Sequence, residues 1–154
     1  MKSCSLKKSL KQAILRAKVA QQTSRLRALH SVQTMIIREE RRKNRSSLTS
    51  NMLIRLLSGA AEERQEAAAI YQQQGEVEMA QLEQNELTGI QEYLPPQMSE
   101  EAIGKIVAQI IRSINARSIV DASRVISIAK EEIGYHATGR TIAKVVRAQL
   151  NQLS

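Results

Sequence analysis

The sequence predicts an all-α protein, and three observations carry that prediction. Apolar residues recur every three or four positions along almost the whole chain, which is the helical period and not the alternation of a strand. No run rich in β-branched or aromatic residues sits between hairpin turns. Both prolines stand together, at Pro95 and Pro96, and mark the one strong break in the pattern. The expected architecture is therefore a bundle-like N-terminal domain of long helices, residues 1–95, followed by a small three-helix C-terminal domain, residues 96–154. A chain of 154 residues has room for one or two such domains, each with a real core.

The elements follow in order. Residues 5–21 form the first helix, with Leu6, Leu10, Ala13 and Ala17 on one face. Thr23 and Ser24 read as the cap of the second, which runs to about Lys43 and turns Ala28, Leu29, Val32, Met35 and Ile36 inward. Its end, "REERRKNR", places cations where the helix dipole is negative. "SSLTSN" reads as a polar loop. The third helix spans about Met52 to Gln74 with Gly75 as its stop, and the fourth spans Glu76 to Tyr93 with Val77, Ala80, Leu87 and Ile90 buried. Beyond "YLPPQMSEE", Ser99 opens a helix over about 100–116 whose stripe is Ile103, Ile106, Val107, Ile110 and Ile114. Ser118 opens the next, about 119–131, with Ala122, Val125, Ile126 and Ala129 facing in. Thr138 caps the last, about 139–152.

Composition narrows the function. There are three tyrosines, Tyr71, Tyr93 and Tyr135, and no Phe or Trp. The cores must be Leu, Ile, Val, Ala and Met, and modules that stack single-stranded bases on aromatic rings are disfavoured. One cysteine, Cys4, cannot form an internal disulfide, so a reducing compartment is expected. The basic, amphipathic, acid-free start of the chain has the character of a mitochondrial presequence, yet its pattern continues without a break into the fold. The expected location is cytoplasmic, with the mitochondrial matrix as the alternative. No apolar run approaches a membrane span, so no membrane partner is expected.

The net charge of +8 is uneven. Residues 1–45 hold 13 Lys/Arg and two Glu, a net of +11; residues 46–95 hold two Arg and eight Glu, a net of −6; the remainder is +3. Such a division fits helices that attract one another within a bundle, and it equally fits a basic surface offered to a polyanion.

The stretch "GYHATGRTIAKVVRAQL", residues 134–150, carries the candidate site. At about 100° per residue, Arg140, Lys144, Arg147 and Asn151 share a narrow arc, and Ile142, Val145, Val146, Leu150 and Leu153 lie opposite. Gly139 leaves room for close backbone approach, and the N–H groups at Gly139 and Arg140 suit a phosphate. The candidate nucleic-acid-binding residues are Gly139, Arg140, Lys144 and Arg147. A second arc joins Lys105 and Arg112 across Gln109. The densest basic run is Arg38, Arg41, Arg42, Lys43 and Arg45, which either binds phosphates or is neutralised by Glu39 and Glu40.

Catalytic constellations are missing from the sequence. His30 and His136 have no second cysteine for a zinc site; His30 reads as a structural helix residue and His136 as an exposed loop residue. Glu62, Glu63 and Glu66 share a helix surface and read as solvated. Phosphate-loop, dinucleotide and nucleophile-elbow motifs do not occur. No catalytic residue, metal or cofactor is expected, and the chain reads as a binding protein, not a self-sufficient enzyme.

Three stretches together resemble the YqeY-like proteins: "RLRALHSVQTMIIREE", "YQQQGEVEMAQLEQNELTGIQEYLPPQMSEE" and "GYHATGRTIAKVVRAQL". That family shares a domain with the tail of the B subunit of the glutamine-dependent aminoacyl-tRNA amidotransferase (GatB). The resemblance implies a helical domain followed by a small three-helix domain, and a role in holding tRNA during transfer of ammonia to a mischarged aminoacyl group. It brings a carbon–nitrogen ligase label with glutamine as amido donor, although the ATP and amidase machinery lies outside this domain. The implied partners are tRNA or another structured RNA, with amidotransferase subunits or an aminoacyl-tRNA synthetase beside it. Many relatives have a cation just after the glycine of the middle stretch, where this chain has Glu76 and Val77. The alternative is an adaptor that docks an acidic partner through the basic N-terminal helices.

Overall fold

The computed structural model describes residues 3–153, with side chains from Ser5 onward. The described residues form seven α-helices and two 3-10 turns, with no strand among them. By their contacts they divide into two compact units, Met1–Leu94 and Pro95–Ser154. The side chain of Cys4, on which the disulfide expectation rests, lies outside the described residues.

The first unit contains α1 (Ser3–Val19), α2 (Thr23–Arg42), α3 (Ser50–Gln73) and α4 (Val77–Gln91). Its core joins Leu6, Leu10, Ala13 and Ala17 of α1 to Leu29, Val32 and Ile36 of α2, Leu53, Leu57 and Ala61 of α3, and Leu87 and Ile90 of α4. These are the faces that the period predicts. The approach of α2 to α4 depends on Gly89. A Cβ there would lie 2.7 Å from the Cβ of Ala28, closer than two carbons tolerate. Arg25 ties the same two helices with a bidentate bond to Glu92, at 2.6 and 3.0 Å. Arg64 of α3 lies 3.0 Å from Glu83 and 3.4 Å from Glu86 of α4. The exposed Arg25–Glu92 pair thus joins the basic segment to the acidic one, while Arg64 pairs within the acidic segment.

Four expectations need correcting here. Val77, the first residue of α4, is 70% exposed. Thr23 and Ser24 do not cap α2. The connection from α1 is a tight turn with Gln21 at φ 55°, and Gln22 occupies the cap position without a side-chain bond. The "SSLTSN" stretch is not wholly polar loop: Leu48 is buried, and Thr49 caps α3 by accepting the Met52 N–H at 3.2 Å. His30 is exposed on α2 and not part of the core.

The second unit contains α5 (Glu100–Ile114), a 3-10 turn (Ile119–Asp121), α6 (Ala122–Ile133), a second 3-10 turn (Gly134–His136) and α7 (Gly139–Leu153). Ile103, Val107, Ile110 and Ile111 pack with Val125, Ala129 and Ile133 and with Ile142, Val146 and Leu150. The starts of α5, of α7 and of the first 3-10 turn are capped, and α6 continues from that turn without a side-chain cap of its own. Ser99 Oγ accepts the Ala102 N–H at 3.1 Å, and Thr138 Oγ1 accepts the Thr141 N–H at 3.2 Å. Asp121 accepts the N–H groups of Arg117 and Ser118 at 2.9 and 3.3 Å, and Ser118 Oγ accepts the Val120 N–H. The helices end through left-handed residues: Asn115 at φ 56° after α5 and Gly134 at φ 61° after α6. Leu153, expected inside, is 54% exposed at the final turn of α7.

Candidate nucleic-acid interface

Four hydrogen bonds position the start of α7. Gln97 Nε2 donates to the carbonyls of Pro95 and Tyr135, at 2.8 and 2.9 Å. The Met98 N–H donates to the His136 carbonyl at 2.7 Å. His136 Nδ1 donates to the Pro96 carbonyl at 2.8 Å, since a carbonyl oxygen can only accept. The proline stretch and the glycine loop, 38 to 40 residues apart in sequence, are thereby sewn together. His136 is exposed, as the sequence suggests, but its ring is engaged in this stitch. Sequence reasoning identified both stretches and not their contact, because nothing local to either one announces the other.

From that anchored start, α7 buries Ile142, Val145, Val146 and Leu150. Arg140, Lys144, Arg147 and Asn151 are all exposed on the opposite face. Arg140 and Arg147 have no carboxylate partner among the described residues. Lys144 does: its Nζ lies 2.8 Å from Glu100 Oε1 at the start of α5. Sequence reasoning missed Glu100, which is 44 residues away. The pair is exposed on both sides, 68% and 57% by side chain, so it contributes only about 0–1 kcal/mol and yields readily to a competing anion. Glu100 nevertheless places a negative charge on the predicted cationic face. Gly139 is half-buried and engaged, and the Thr138 hydroxyl already satisfies one N–H of the first turn. The helix start therefore offers an anion less than a bare terminus would. Further along, Gln149 Nε2 donates to the Gly104 carbonyl at 2.8 Å and locks α7 against α5.

The second arc is also solvent-facing, with Lys105, Gln109 and Arg112 exposed. The dense basic run resolves into two groups. Glu39 holds Arg42 in a bidentate pair at 2.7 and 2.9 Å, which lowers the Glu39 carboxyl below its ordinary range and raises the Arg42 guanidinium. Glu40 is buried and pairs with Lys7 of α1. Arg38, Arg41 and Arg45 remain exposed without a carboxylate partner among the described residues, and Lys43 adds its attraction to Glu39. Of the predicted carboxylate trio, Glu63 stays exposed beside Arg64 at 4.0 Å, and Glu66 is exposed.

Among the described residues no cluster of three or more His, Cys, Asp or Glu could hold a metal ion, and no helix is long and apolar enough to cross a membrane. A comparison with curated proteins gives no match. The profile of one family, described as Yqey-like protein, spans residues 6–150, and across nearly its whole length this chain therefore belongs to the YqeY-like family.

Proposed function

We propose that this protein is a non-catalytic helical module that binds tRNA, or another structured RNA, through phosphate contacts on α7, and serves as an accessory to glutamine-dependent amidation of mischarged tRNA. One observation carries the reading: Arg140 and Arg147 project from the exposed side of a helix whose other side is locked in the core. Two guanidiniums seven residues apart on a rigid helix stand roughly 10 Å from each other, a fixed pair for a folded polyanion. Any ligase chemistry belongs to partner subunits, such as those of the amidotransferase or a synthetase. The site differs from the sequence expectation in that Lys144 is shared with Glu100.

The test is tRNA binding measured across a salt series. Arg140→Glu plus Arg147→Glu is expected to weaken binding at least tenfold and to flatten the salt slope by about 0.9 for each lost contact. Glu100→Gln, which releases Lys144 and removes a like charge from the ligand, is expected to tighten binding a few-fold. Unchanged affinity in both variants removes α7 as the RNA site.

A second reading, an adaptor for an acidic partner, is favoured by a separate observation. Lys8, Lys11, Arg16, Lys18, Arg38, Arg41 and Arg45 are exposed and lack carboxylate partners among the described residues. Copurification of a partner that survives nuclease treatment and is lost in Lys11→Glu plus Arg41→Glu checks it.

A further inference from the structure

The first unit carries two amphipathic surfaces of opposite charge, and no described residue of the unit covers either. One lies between α1 and α2. A depression of about 200 Å³ has Leu10 and Ile36 in its floor and Lys11 on its rim. Ile37, 42% exposed, lines this depression and also an adjoining one of about 350 Å³ bordered by Arg41 and Arg45. Lys7, bound to Glu40 and to the Ser46 carbonyl, closes the space between them. Lys11, Arg41 and Arg45 have no carboxylate partner among the described residues.

The other surface surrounds the α3–α4 turn. Ile70, Val77 and Met79 are 46%, 70% and 39% exposed there. Glu66, Glu76 and Glu78 are exposed beside them, with no cation partner among the described residues. Glu66 and Ile70 are four apart on α3 and share one face. The buried residues of α3 all lie between Leu53 and Ala61, so its second half extends past the core of the unit.

The two surfaces cannot meet within one chain. Arg27 lies beside Glu86, and Thr23 and Ser24 share a hollow with Leu82, so the first half of α4 lies against the first turns of α2. The turn at Gly75, which precedes that half, therefore lies nearer the start of α2 than its end, and the basic depression lies at its end. The length of α2 between them is on the order of 30 Å.

We propose that the acidic α3–α4 turn of one copy seats in the basic α1–α2 groove of a second copy. The aliphatic side chains of the turn cover Ile37, and Glu66 and Glu78 face Lys11, Arg41 and Arg45. Charge complementarity steers the encounter and sets its register, and removal of Ile37 and Val77 from water adds the apolar share. The contact is heterologous. It closes when both copies exchange turn for groove, and it extends into a chain otherwise. A phosphate backbone fits the groove less well, because it has nothing apolar to set on Leu10, Ile36 and Ile37. This deepens the adaptor reading by naming its partner.

The test is the sedimentation behaviour of the full chain. At low salt the protein is expected to sediment above its monomer mass, and high salt is expected to return it to monomer. Lys11→Glu plus Arg41→Glu is expected to be monomeric, and so is Glu66→Lys plus Glu78→Lys. Mixed in equal amounts, the two variants are expected to recover a complex, because one intact turn and one intact groove remain between them. All four positions are exposed, and an unchanged helical signal confirms folding. A wild-type protein that is monomeric at low salt overturns the proposal, as does a mixture that stays monomeric or variants that still associate. In that event, nuclease-resistant capture of a foreign acidic partner still supports the adaptor reading, and its absence removes that too.

Discussion

The N-terminal unit holds the two longest helices and leaves α2 and α4 without side-chain caps, whereas in the C-terminal unit α5, α7 and the 3-10 turn ahead of α6 are capped. Helices α2 and α3 have 20 and 24 residues, and neither α2 nor α4 has a side-chain cap at its start. Helices α5, α6 and α7 have 15, 12 and 15; Ser99 and Thr138 cap α5 and α7, and Ser118 with Asp121 closes the 3-10 turn that leads into α6. A helix of 12 residues has so few internal hydrogen bonds that its unsatisfied ends are a large fraction of the total. A cap is worth about 1 kcal/mol wherever it sits, so it weighs more in the shorter helix and the smaller core. The cores differ in the same sense. Leucine dominates the first, and the small Ala28 lets α2 approach α4 closely at Gly89. Isoleucine and valine fill the second, and their stiff side chains lose little freedom on burial.

Core truncation produces the largest expected effect and tests whether the units differ in resilience. Leu57 and Leu150 are both fully buried, one in each unit. Replacement of either by alanine is expected to cost about 3 kcal/mol. In the smaller unit this takes most of the available stability, so Leu150→Ala should abolish its transition in calorimetry. Leu57→Ala should lower a transition that remains visible. Equal shifts in both variants would break the comparison.

Next in size is overpacking at the α2–α4 crossing. Gly89→Val places two methyl groups where one Cβ already comes within 2.7 Å of Ala28. A loss of about 2–3 kcal/mol is expected in the first unit. Ala28→Gly in the same chain opens space and should restore part of it. Strictly additive losses in the double variant, seen in urea unfolding, would show that the crossing is not the limiting contact.

Smaller still are the caps, and here the units should separate cleanly. Ser99→Ala and Thr138→Ala are each expected to cost about 1 kcal/mol. Thr23→Ala, at a helix start where no side chain caps, is expected to stay within about 0.5 kcal/mol. A similar cost at Thr23 would show a capping role that its geometry does not contain.

The same contrast governs what could be read in the sequence. Ser99, Ser118 and Thr138 are legible as caps because each is a Ser or Thr just ahead of a clean stripe, and Ser99 and Ser118 stand on extended backbone. Thr23 and Ser24 have the right chemistry and fail, because a tight turn carries the chain straight from α1 into α2 and gives them no extended backbone. Periodicity marks the inward face of a helix but not how far its neighbours extend. That is why Leu6, Leu10, Val107 and Leu150 were placed correctly while Val77 and Leu153, at helix ends, were not. The arc of Arg140, Lys144 and Arg147 was legible for the same reason, since a face follows from spacing alone. Glu100 was not, because charge pairing between α5 and α7 depends on how the two helices lie against each other.

Acid provides the finest expected distinction. In the second unit, bonds from the backbone N–H groups of Arg117 and Ser118 hold the Asp121 carboxyl below its ordinary value of 3.8. In the first, the bond from Arg42 holds Glu39 below 4.5. A carboxyl whose folded value is depressed adds stability that is complete above its unfolded value and is lost as the pH falls through the folded one. Both units are thus expected to weaken below about pH 4 for these reasons. The partners differ, and salt separates them. Arg42 is an exposed ion whose attraction is screened, whereas the N–H groups around Asp121 are fixed dipoles at bonding distance. In melts near pH 3 against pH 6, the Asp121→Asn variant is expected to lose part of the acid sensitivity of the second unit at both low and high salt. The contribution from Glu39, read in Glu39→Gln, is expected to shrink in high salt. If salt erases the Asp121 effect as fully as the Glu39 effect, then Arg124 rather than the backbone is what holds that carboxyl, and the cap is not the source of the unit's tolerance for short helices.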